Sequence, residues 1–283
     1  MPLRQDDIVP LPPHLIAAFK PYTAWYAATT ACNLSAIMHW SCGENCNANP
    51  TFKPIIAGGD NEETPFWFVG YDLTLDEVIV SHYGTDFGNR KSIWQNFLFC
   101  QVPLNSDMFP GVDESVRVHK GYARVQSRSA AAVIAAVEQA LSQHSTKKVT
   151  VVGHSMGAAV ALLDAIYLSL HLSSDVTVRY IGYSSPRVGN QAFADYVDTR
   201  GMSVTRINNK QDPIPVLPPM TFFGYRHVSG EIHIRNDDVW VSCPGQDNPS
   251  DQCSTGAVTA VIFGNGDMSQ HTGPFDGVTM GKC

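Results

Sequence analysis

Residues 148–163 read KVTVVGHSMGAAVALL, and this stretch decides the fold. Its first half is a β-branched run typical of a buried strand, and its second half has the small and apolar residues of a buried helix. Between them lies a G-x-S-x-G motif formed by Gly153, Ser155 and Gly157. Such a motif indicates a strained strand-to-helix turn that presents a serine hydroxyl at the top of a sheet. We therefore predict that a side chain at either glycine would collide with a neighbouring element, and that Ser155 is a nucleophile.

Composition limits the possible classes of protein. The chain has 283 residues, of which 44% are hydrophobic and 16% charged, which fits a globular fold and not a disordered chain. The net charge is −7, and no basic cluster is longer than Lys147-Lys148 or Arg90-Lys91, so a nucleic-acid partner is not expected. No apolar run approaches the length of a transmembrane helix. The N-terminus has no signal-peptide pattern, so we expect any leader to have been removed.

Strands and helices alternate through the middle of the chain. Two strands, residues 65–71 and 77–83, are joined by a hairpin at 72–76, and residues 32–63 before them are interpreted as loop-rich. This alternation predicts a mainly parallel sheet with helices on both faces, in one domain spanning residues 1–283. The other predicted elements are a mostly helical opening at 10–30, helices at 128–143 and 190–199, strands at 176–183 and 203–208, and a hairpin or two strands within 222–241.

The catalytic acid should follow a strand, because functional groups lie at the carboxyl ends of parallel strands. Asp212 comes directly after the predicted strand 203–208 and is our candidate. A turn-forming aspartate before proline is the alternative interpretation of this residue. The competing acids are Asp164 inside the helix after the serine, Asp175 before a strand, and Asp195 and Asp198 on a predicted surface helix.

The base is expected after the acid in chain order, which leaves three histidines. His233 alternates with apolar residues and is interpreted as a strand side chain, whereas His227, at a strand start, could be structural. His271 lies in a loop near the end of the chain, from where it could fold back over the sheet towards the serine. We favour His271 as the base and keep His227 as the alternative.

An oxyanion formed at the serine would need two hydrogen-bond donors. One is the backbone N–H of Met156, directly after the serine. The other is expected in the loop after an earlier strand, where Thr85 follows the apolar run 78–80 and could contribute its N–H and its hydroxyl. We predict an oxyanion hole formed by Thr85 and Met156.

Seven cysteines indicate disulfides rather than a metal site, since no C-x-x-C pair or H-x-x-x-H motif accompanies them. Cys42 with Cys46 and Cys243 with Cys253 would each close a short loop, and Cys32 with Cys283 would join the two ends of the chain. Six paired cysteines imply an oxidising compartment and therefore secretion. Cys100 is then expected to be a buried free thiol. Asn33 is the one candidate for N-glycosylation.

The ordered set of motifs resembles the fungal class 3 lipases, which include triacylglycerol lipases and mono- and diacylglycerol lipases. The motifs are Tyr83-Gly84-Thr85, Val118 to Tyr122, the serine motif, Asn208 to Pro213, Gly224 to Val228 and His271 to Pro274. The resemblance runs from about residue 20 to the last cysteine and implies an α/β-hydrolase fold. It also implies the triad Ser155, Asp212 and His271, the two oxyanion donors and the three disulfides given above. The family usually has leucine where Met156 stands and a second glycine where Ala158 stands.

The resemblance further implies a lid over the site, at about residues 86–100. Phe87 lies in this segment, and Ile93, Trp94, Phe97 and Leu98 form one apolar stripe if it is helical. Such a stripe could cover the site in water and face a lipid surface when open, although an ordinary core helix is the alternative. The apolar residues after the acid are candidate walls of the acyl pocket, and core packing explains them equally well: Ile214, Val216, Leu217, Met220, Phe222 and Phe223.

Three functions are compatible with these features. The favoured one is a secreted, monomeric serine ester hydrolase acting on acylglycerols at a lipid–water interface, with no metal or organic cofactor. A feruloyl or other carbohydrate-ester esterase shares the architecture, but the apolar stripe disfavours it. A non-catalytic lipid-binding relative would be signalled by a missing triad residue, and none is missing.

Overall fold

The computed structural model describes residues 7–23, 32–84, 99–258 and 266–281. In chain order its elements are β1 Val9–Pro10, α1 Pro13–Phe19, α2 Leu34–Met38, α3 Glu44–Ala48, β2 Phe52–Gly58, β3 Trp67–Asp72, β4 Glu77–His82, β5 Gln101–Pro103, β6 Arg117–His119, α4 Lys120–His144, β7 Lys148–His154, α5 Met156–His171, β8 Thr177–Tyr183, β9 Gly189–Asn190, α6 Gln191–Thr199, β10 Ser203–Asn209, α7 Met220–Phe223, β11 Tyr225–Arg226, β12 Glu231–Ile234, β13 Trp240–Cys243 and α8 Ser254–Ala257, with 3₁₀ turns at Ile214–Val216 and Met268–Gln270.

A large twisted sheet organises the described residues. Its strand order is β1-β13-β12-β10-β8-β7-β4-β3-β2, and the pairs that join β4, β7, β8, β10 and β12 are all parallel. The pairs at both edges are antiparallel. The predicted parallel sheet is therefore confirmed for the centre, where the carboxyl ends of the strands meet at one edge.

Helices pack on both faces of this sheet, as predicted. On one face, α4, α5 and α6 bury residues such as Val133, Leu162 and Phe193 against the inward-facing side chains of the strands. On the other face, α1 and α2 cover the sheet with Ile16 and Ile37. The centre of the sheet is thus covered on both sides, which is why β4 and β7 contain continuous runs of buried β-branched residues, Val78 to Val80 and Val149 to Val152.

The prediction that residues 32–63 are loop-rich is wrong for Phe52–Gly58, which forms β2. Pro54 argues against a strand in sequence, because proline donates no hydrogen bond to a neighbouring strand. The structure resolves the conflict by placing β2 at the edge of the sheet, with a register shift between Pro54 and Ile56. Two short helices, α2 and α3, also lie in this region.

The long helix before the serine motif starts earlier than predicted. It begins at Lys120 instead of Arg128, and the ring Nδ1 of His119 accepts the backbone N–H of Gly121 at 3.1 Å as an N-terminal cap. The predicted hairpin near the end of the chain is confirmed as the antiparallel pair β12–β13.

Two of the three predicted disulfides are formed, Cys42–Cys46 and Cys243–Cys253. Cys32 is also disulfide-bonded, but its predicted partner Cys283 lies outside the described residues. The expectation of a buried thiol at Cys100 is wrong, because this free cysteine is exposed. It directly precedes β5, the edge strand of a second, four-stranded sheet, so the fold does not enclose its side chain.

In the part of the chain that the structure describes, no helix is long and apolar enough to cross a membrane.

Candidate active site

Ser155 occupies a sharp turn between β7 and α5. Its backbone has φ 58° and ψ −132°, a conformation that non-glycine residues adopt only at a cost of about 1–3 kcal/mol. The turn is possible because the two flanking glycines have no Cβ, which allows neighbouring backbone to approach them closely. A Cβ at Gly153 would lie 2.4 Å from the carbonyl oxygen of Gly157, and a Cβ at Gly157 would lie 2.4 Å from that of His82. The predicted collision at each glycine is confirmed.

The serine hydroxyl is held in the interior without a structural role. Ser155 is fully buried, and its Oγ has no hydrogen-bond partner among the described residues. A buried hydroxyl without a partner lowers the stability of the folded state by about 1–3 kcal/mol. Its retention therefore indicates a role other than folding. The position at the N-terminus of α5 adds the positive end of the helix dipole.

Asp212 and His271 form a buried pair. Nδ1 of His271 lies 2.9 Å from Oδ2 and 3.1 Å from Oδ1 of Asp212, and both side chains are 1% exposed. Oδ1 of Asp212 also accepts the backbone N–H of Ile214 at 3.0 Å, which fixes the carboxylate. A carboxylate at Nδ1 requires the proton on that nitrogen and directs the opposite nitrogen, Nε2, to act as a base.

Hydrogen bonds to backbone carbonyls join the two loops that carry this pair. The side-chain amide of Asn209, at the end of β10, donates to the carbonyl of Gln270 at 2.8 Å. The N–H of Asp267 donates to the carbonyl of Gln211, also at 2.8 Å. Asp212, the candidate acid, therefore follows its strand as predicted, and His271, the candidate base, comes from a loop that folds back on it.

His154, directly before the serine, links the base to the elbow. Its Nε2–H donates to the carbonyl oxygen of His271 at 2.8 Å, and the two rings lie 4.6 Å apart. Burial, and secondarily the neighbouring His271, lowers the pKa of His154 to about 3. His154 is therefore neutral, and as a hydrogen-bond donor it ties the backbone of His271 to the residue directly before Ser155.

The alternative candidates have structural roles. Nε2 of His227 lies 2.6 Å from the carbonyl oxygen of Pro215, and burial together with the charge of Arg206 lowers the pKa of His227 well below its usual value. His233 contacts two backbone carbonyls, those of Gln252 and Lys210. The competing acid Asp164 is buried against His82, away from His271.

Arg187 holds the segment after the acid, and sequence reasoning missed it. Its guanidinium is 1% exposed, donates to the carbonyls of Val216 and Pro218, and pairs with Asp247 at 2.9 Å. Its backbone N–H donates to the carbonyl of Leu217. A buried arginine with a carboxylate partner is rare, and only the long-range contact with Asp247 makes it visible.

Some of the predicted pocket residues are buried and others are exposed. Val216 is 2% exposed and Leu217 is partly buried. Phe222 and Phe223 do not line a buried pocket, because both rings are exposed at the surface, Phe222 by 85%. They lie in α7, a single turn that follows two prolines and directs its aromatic rings outwards.

Parts of the predicted site lie outside the described residues. These are Thr85, and Phe87, Ile93, Trp94, Phe97 and Leu98 of the predicted lid. Gly84 is described: a Cβ there would lie 2.6 Å from the carbonyl oxygen of His154 and 2.9 Å from Cβ of Ser155. The chain therefore approaches the serine at the point from which Thr85 follows. Met156 is the first residue of α5.

The described residues contain no group of three or more histidine, cysteine or acidic side chains arranged to hold a metal ion.

Comparisons with known proteins place this geometry in context. Residues 79–222 match the family model for lipase (class 3). The chain is 31% identical over 256 residues to the secreted mono- and diacylglycerol lipase 3 of Gibberella zeae, covering 87% of this chain and 74% of that protein. It superposes on the lipase of Rhizopus microsporus var. chinensis with a TM-score of 0.80 and 26% identity, over 97% of this chain and 91% of that one. A triacylglycerol lipase with a serine protease triad as its catalytic centre also matches, with a TM-score of 0.80 and 26% identity, over 97% of this chain and 99% of that one.

Proposed function

The chain belongs to the class 3 lipase family, and from this premise we propose that it is a secreted serine hydrolase that cleaves acylglycerol esters. One observation carries the proposal: a buried serine hydroxyl without a hydrogen-bond partner among the described residues lies at a strained elbow, and the preceding residue, His154, is hydrogen-bonded to the backbone of a histidine that is oriented by a buried carboxylate. This combination supports a Ser155–His271–Asp212 triad.

In the first step, His271 accepts the hydroxyl proton of Ser155 while Oγ bonds to the carbonyl carbon of the ester. The carbonyl oxygen becomes an oxyanion, stabilised by the backbone N–H of Met156 and by Thr85. The C–O bond to the glycerol then breaks, and His271 returns its proton to the leaving oxygen. Asp212 stays ionised throughout and stabilises the imidazolium that forms between these transfers.

In the second step, water replaces the glycerol. His271 takes a proton from the water, the hydroxide attacks the acyl-enzyme, and the same oxyanion site stabilises the second tetrahedral intermediate. Collapse releases the fatty acid and returns the proton to Oγ of Ser155. The mechanism needs no metal and no organic cofactor, because both charges that develop are met by protein groups.

The substrate class follows from the family and its relatives. The Gibberella zeae relative is named as acting on mono- and diacylglycerols, and one structural relative is a triacylglycerol lipase. We propose acylglycerols as the shared class for this chain. The exposed Phe222 and Phe223, on an uncharged segment that runs from Pro213 to Tyr225, fit an enzyme that works at a lipid surface.

Several further features belong to the proposal. We propose one α/β-hydrolase domain over residues 1–283, a lid at about 86–100 bearing the apolar stripe, and pockets walled in part by Val216 and Leu217. Secretion accords with the disulfides and with the secreted relative. Asn33 is exposed and caps α2 through Oδ1, which leaves its amide nitrogen for a glycan. We also propose a monomer, which light scattering after gel filtration would test.

The test is a set of initial hydrolysis rates. The substrates are a short soluble ester, a monoglyceride, a diglyceride, a triglyceride emulsion and methyl ferulate, each with the wild type and with Ser155→Ala. We expect glyceride hydrolysis that disappears in the variant. Turnover of ferulate alone would point to an esterase, and turnover of no ester would leave a lipid-binding protein.

A further inference from the structure

A second buried polar cluster lies behind the serine. It contains one side chain from each of three elements: His82 at the end of β4, Asp164 in α5 and Gln126 in α4. Nε2 of His82 lies 2.7 Å from Oδ2 of Asp164, and the amide of Gln126 donates to Oδ1 of Asp164 at 2.7 Å. None of the three residues is more than 4% exposed.

The surroundings of this cluster are apolar. His82 lies on the same face of β4 as Val78 and Val80, which pack in the core with Leu162 of α5 and Val133 of α4. Burying a carboxylate between such residues costs several kcal/mol, and its partners recover this only in part. The contact with His82 also departs from the angle of a regular hydrogen bond. Apolar side chains would stabilise this layer at least as well, so stability does not explain the cluster.

What the cluster holds is the end of β4. The carbonyl oxygen of His82 is so close to Gly157 that an added Cβ there would lie 2.4 Å away. Gly84, two residues further, makes the same kind of close approach to His154 and Ser155. Residues 82–84 are therefore packed directly against the turn that carries the nucleophile. Asp164 lies in the helix that begins at this turn, and it ties that helix to the strand end.

We propose that His82, Asp164 and Gln126 are positioning residues for the oxyanion hole. They fix the distance between the end of β4, which leads into the predicted donor Thr85, and the first turn of α5, which carries Met156. An oxyanion hole depends on donors that are placed before the reaction begins, and small displacements weaken it. None of the three side chains touches the substrate. The inference rests on the proposed function, because it concerns the same reaction.

The test compares Asp164→Asn with the wild type on a soluble p-nitrophenyl ester. The substitution keeps the shape and removes the charge that binds His82. We expect kcat to fall roughly 10-fold to 100-fold, less than the loss of a whole donor, with KM unchanged within about 2-fold. The rate of inactivation by a p-nitrophenyl alkylphosphonate, whose adduct mimics the tetrahedral intermediate, should fall by a similar factor.

Conservative variants separate positioning from packing. His82→Gln places an amide nitrogen close to the position of Nε2 and should keep kcat within a few-fold of the wild type. His82→Leu fills the space without a donor and should resemble Asp164→Asn. Val133→Ala is the matched control, since it removes packing one heptad beyond Gln126 in the same core. It should lower the thermal unfolding temperature and leave kcat unchanged.

Hydrogen exchange gives a readout that needs no turnover. In Asp164→Asn, the amides of residues 82–84 should exchange faster, whereas in Val133→Ala they should not. An unchanged kcat in Asp164→Asn, an equal loss in Val133→Ala, or a His82→Gln variant as impaired as His82→Leu would each overturn the positioning role. If the wild type hydrolyses no ester, the proposed function fails, and the exchange comparison still decides whether the cluster fixes the strand end.

Discussion

Two buried histidine–aspartate pairs lie at the carboxyl edge of the same sheet, and they differ in what surrounds them. His271 and Asp212 sit on loops that leave the sheet, and their ring and carboxylate are 2.9 Å apart. His82 and Asp164 sit inside a strand and a helix, with a contact of 2.7 Å. Groups on loops at a strand end can meet a substrate, whereas groups within the layers can act only through the backbone they hold. Similar chemistry thus supports a reacting role in one place and a positioning role in the other.

The most direct test of the difference between the two pairs is to make the same substitution in both histidines. His271→Gln should lower kcat by roughly 10⁵-fold to 10⁶-fold, because the amide cannot accept the serine proton. His82→Gln should cost no more than a few-fold. Initial rates on a soluble ester measure both. Comparable losses in the two variants would show that His82 takes part in proton transfer.

Substitution of the two aspartates should also lower kcat more in the Asp212 pair than in the Asp164 pair, but the difference should be smaller than for the histidines. Asp212→Asn keeps the geometry and favours the wrong tautomer of His271, which should lower kcat by about 10⁴-fold. Asp164→Asn should stay within the 10-fold to 100-fold range given above. A pre-steady-state burst of p-nitrophenol would show which step each variant slows. An Asp164→Asn variant as inactive as Asp212→Asn would contradict the distinction between the two pairs.

The residue that links the reacting pair to the elbow should make stability depend on pH. The folded-state pKa of His154 is about 3 and its ordinary value is 6.5, so the unfolded chain binds a proton more readily. Stability from this group is fully present above pH 6.5 and is lost as pH falls towards 3. Between pH 7 and pH 5 the loss should be about 2 kcal/mol.

Urea unfolding at several pH values measures this dependence. His154→Gln keeps a donor for the carbonyl of His271 and does not titrate, so its stability should fall less steeply with acid. Equal slopes for the variant and the wild type would show that His154 is not the group responsible.

The smallest effect is expected at the far end of the positioning cluster. Gln126→Leu removes one donor to Asp164 but leaves the contact with His82, so kcat should fall only a few-fold. Double-mutant analysis with Asp164→Asn would sharpen this, since the effect of Gln126→Leu should vanish when the carboxylate is absent. Additive effects of the two substitutions would mean that Gln126 acts independently of Asp164.

Much of this protein could be predicted from its sequence, because the deciding signals are local. The turn at Ser155 is marked by two glycines within five residues, and the apolar runs of β4 and β7 follow from burial on both faces of the sheet. Asp212 was chosen as the candidate acid because it follows a strand after two intervening residues. His271 was chosen by chain order and by the resemblance to the family, and its contact with Asp212 agrees with that choice.

Only the tertiary structure decided the remaining features, because each depends on residues far apart in the chain. Asp164 appeared in sequence as a rejected candidate acid, and its contacts with His82 and Gln126 show a different use. Arg187 could be interpreted only beside Asp247, and Cys100 is exposed because it directly precedes β5, a strand at the edge of a sheet. Pro54 argued locally against a strand that an edge position allows. Steric limits at a turn and hydrophobic periodicity depend on consecutive residues and can be detected in the sequence. The burial of a side chain and the identity of its hydrogen-bond or ion-pair partner depend on how distant elements pack.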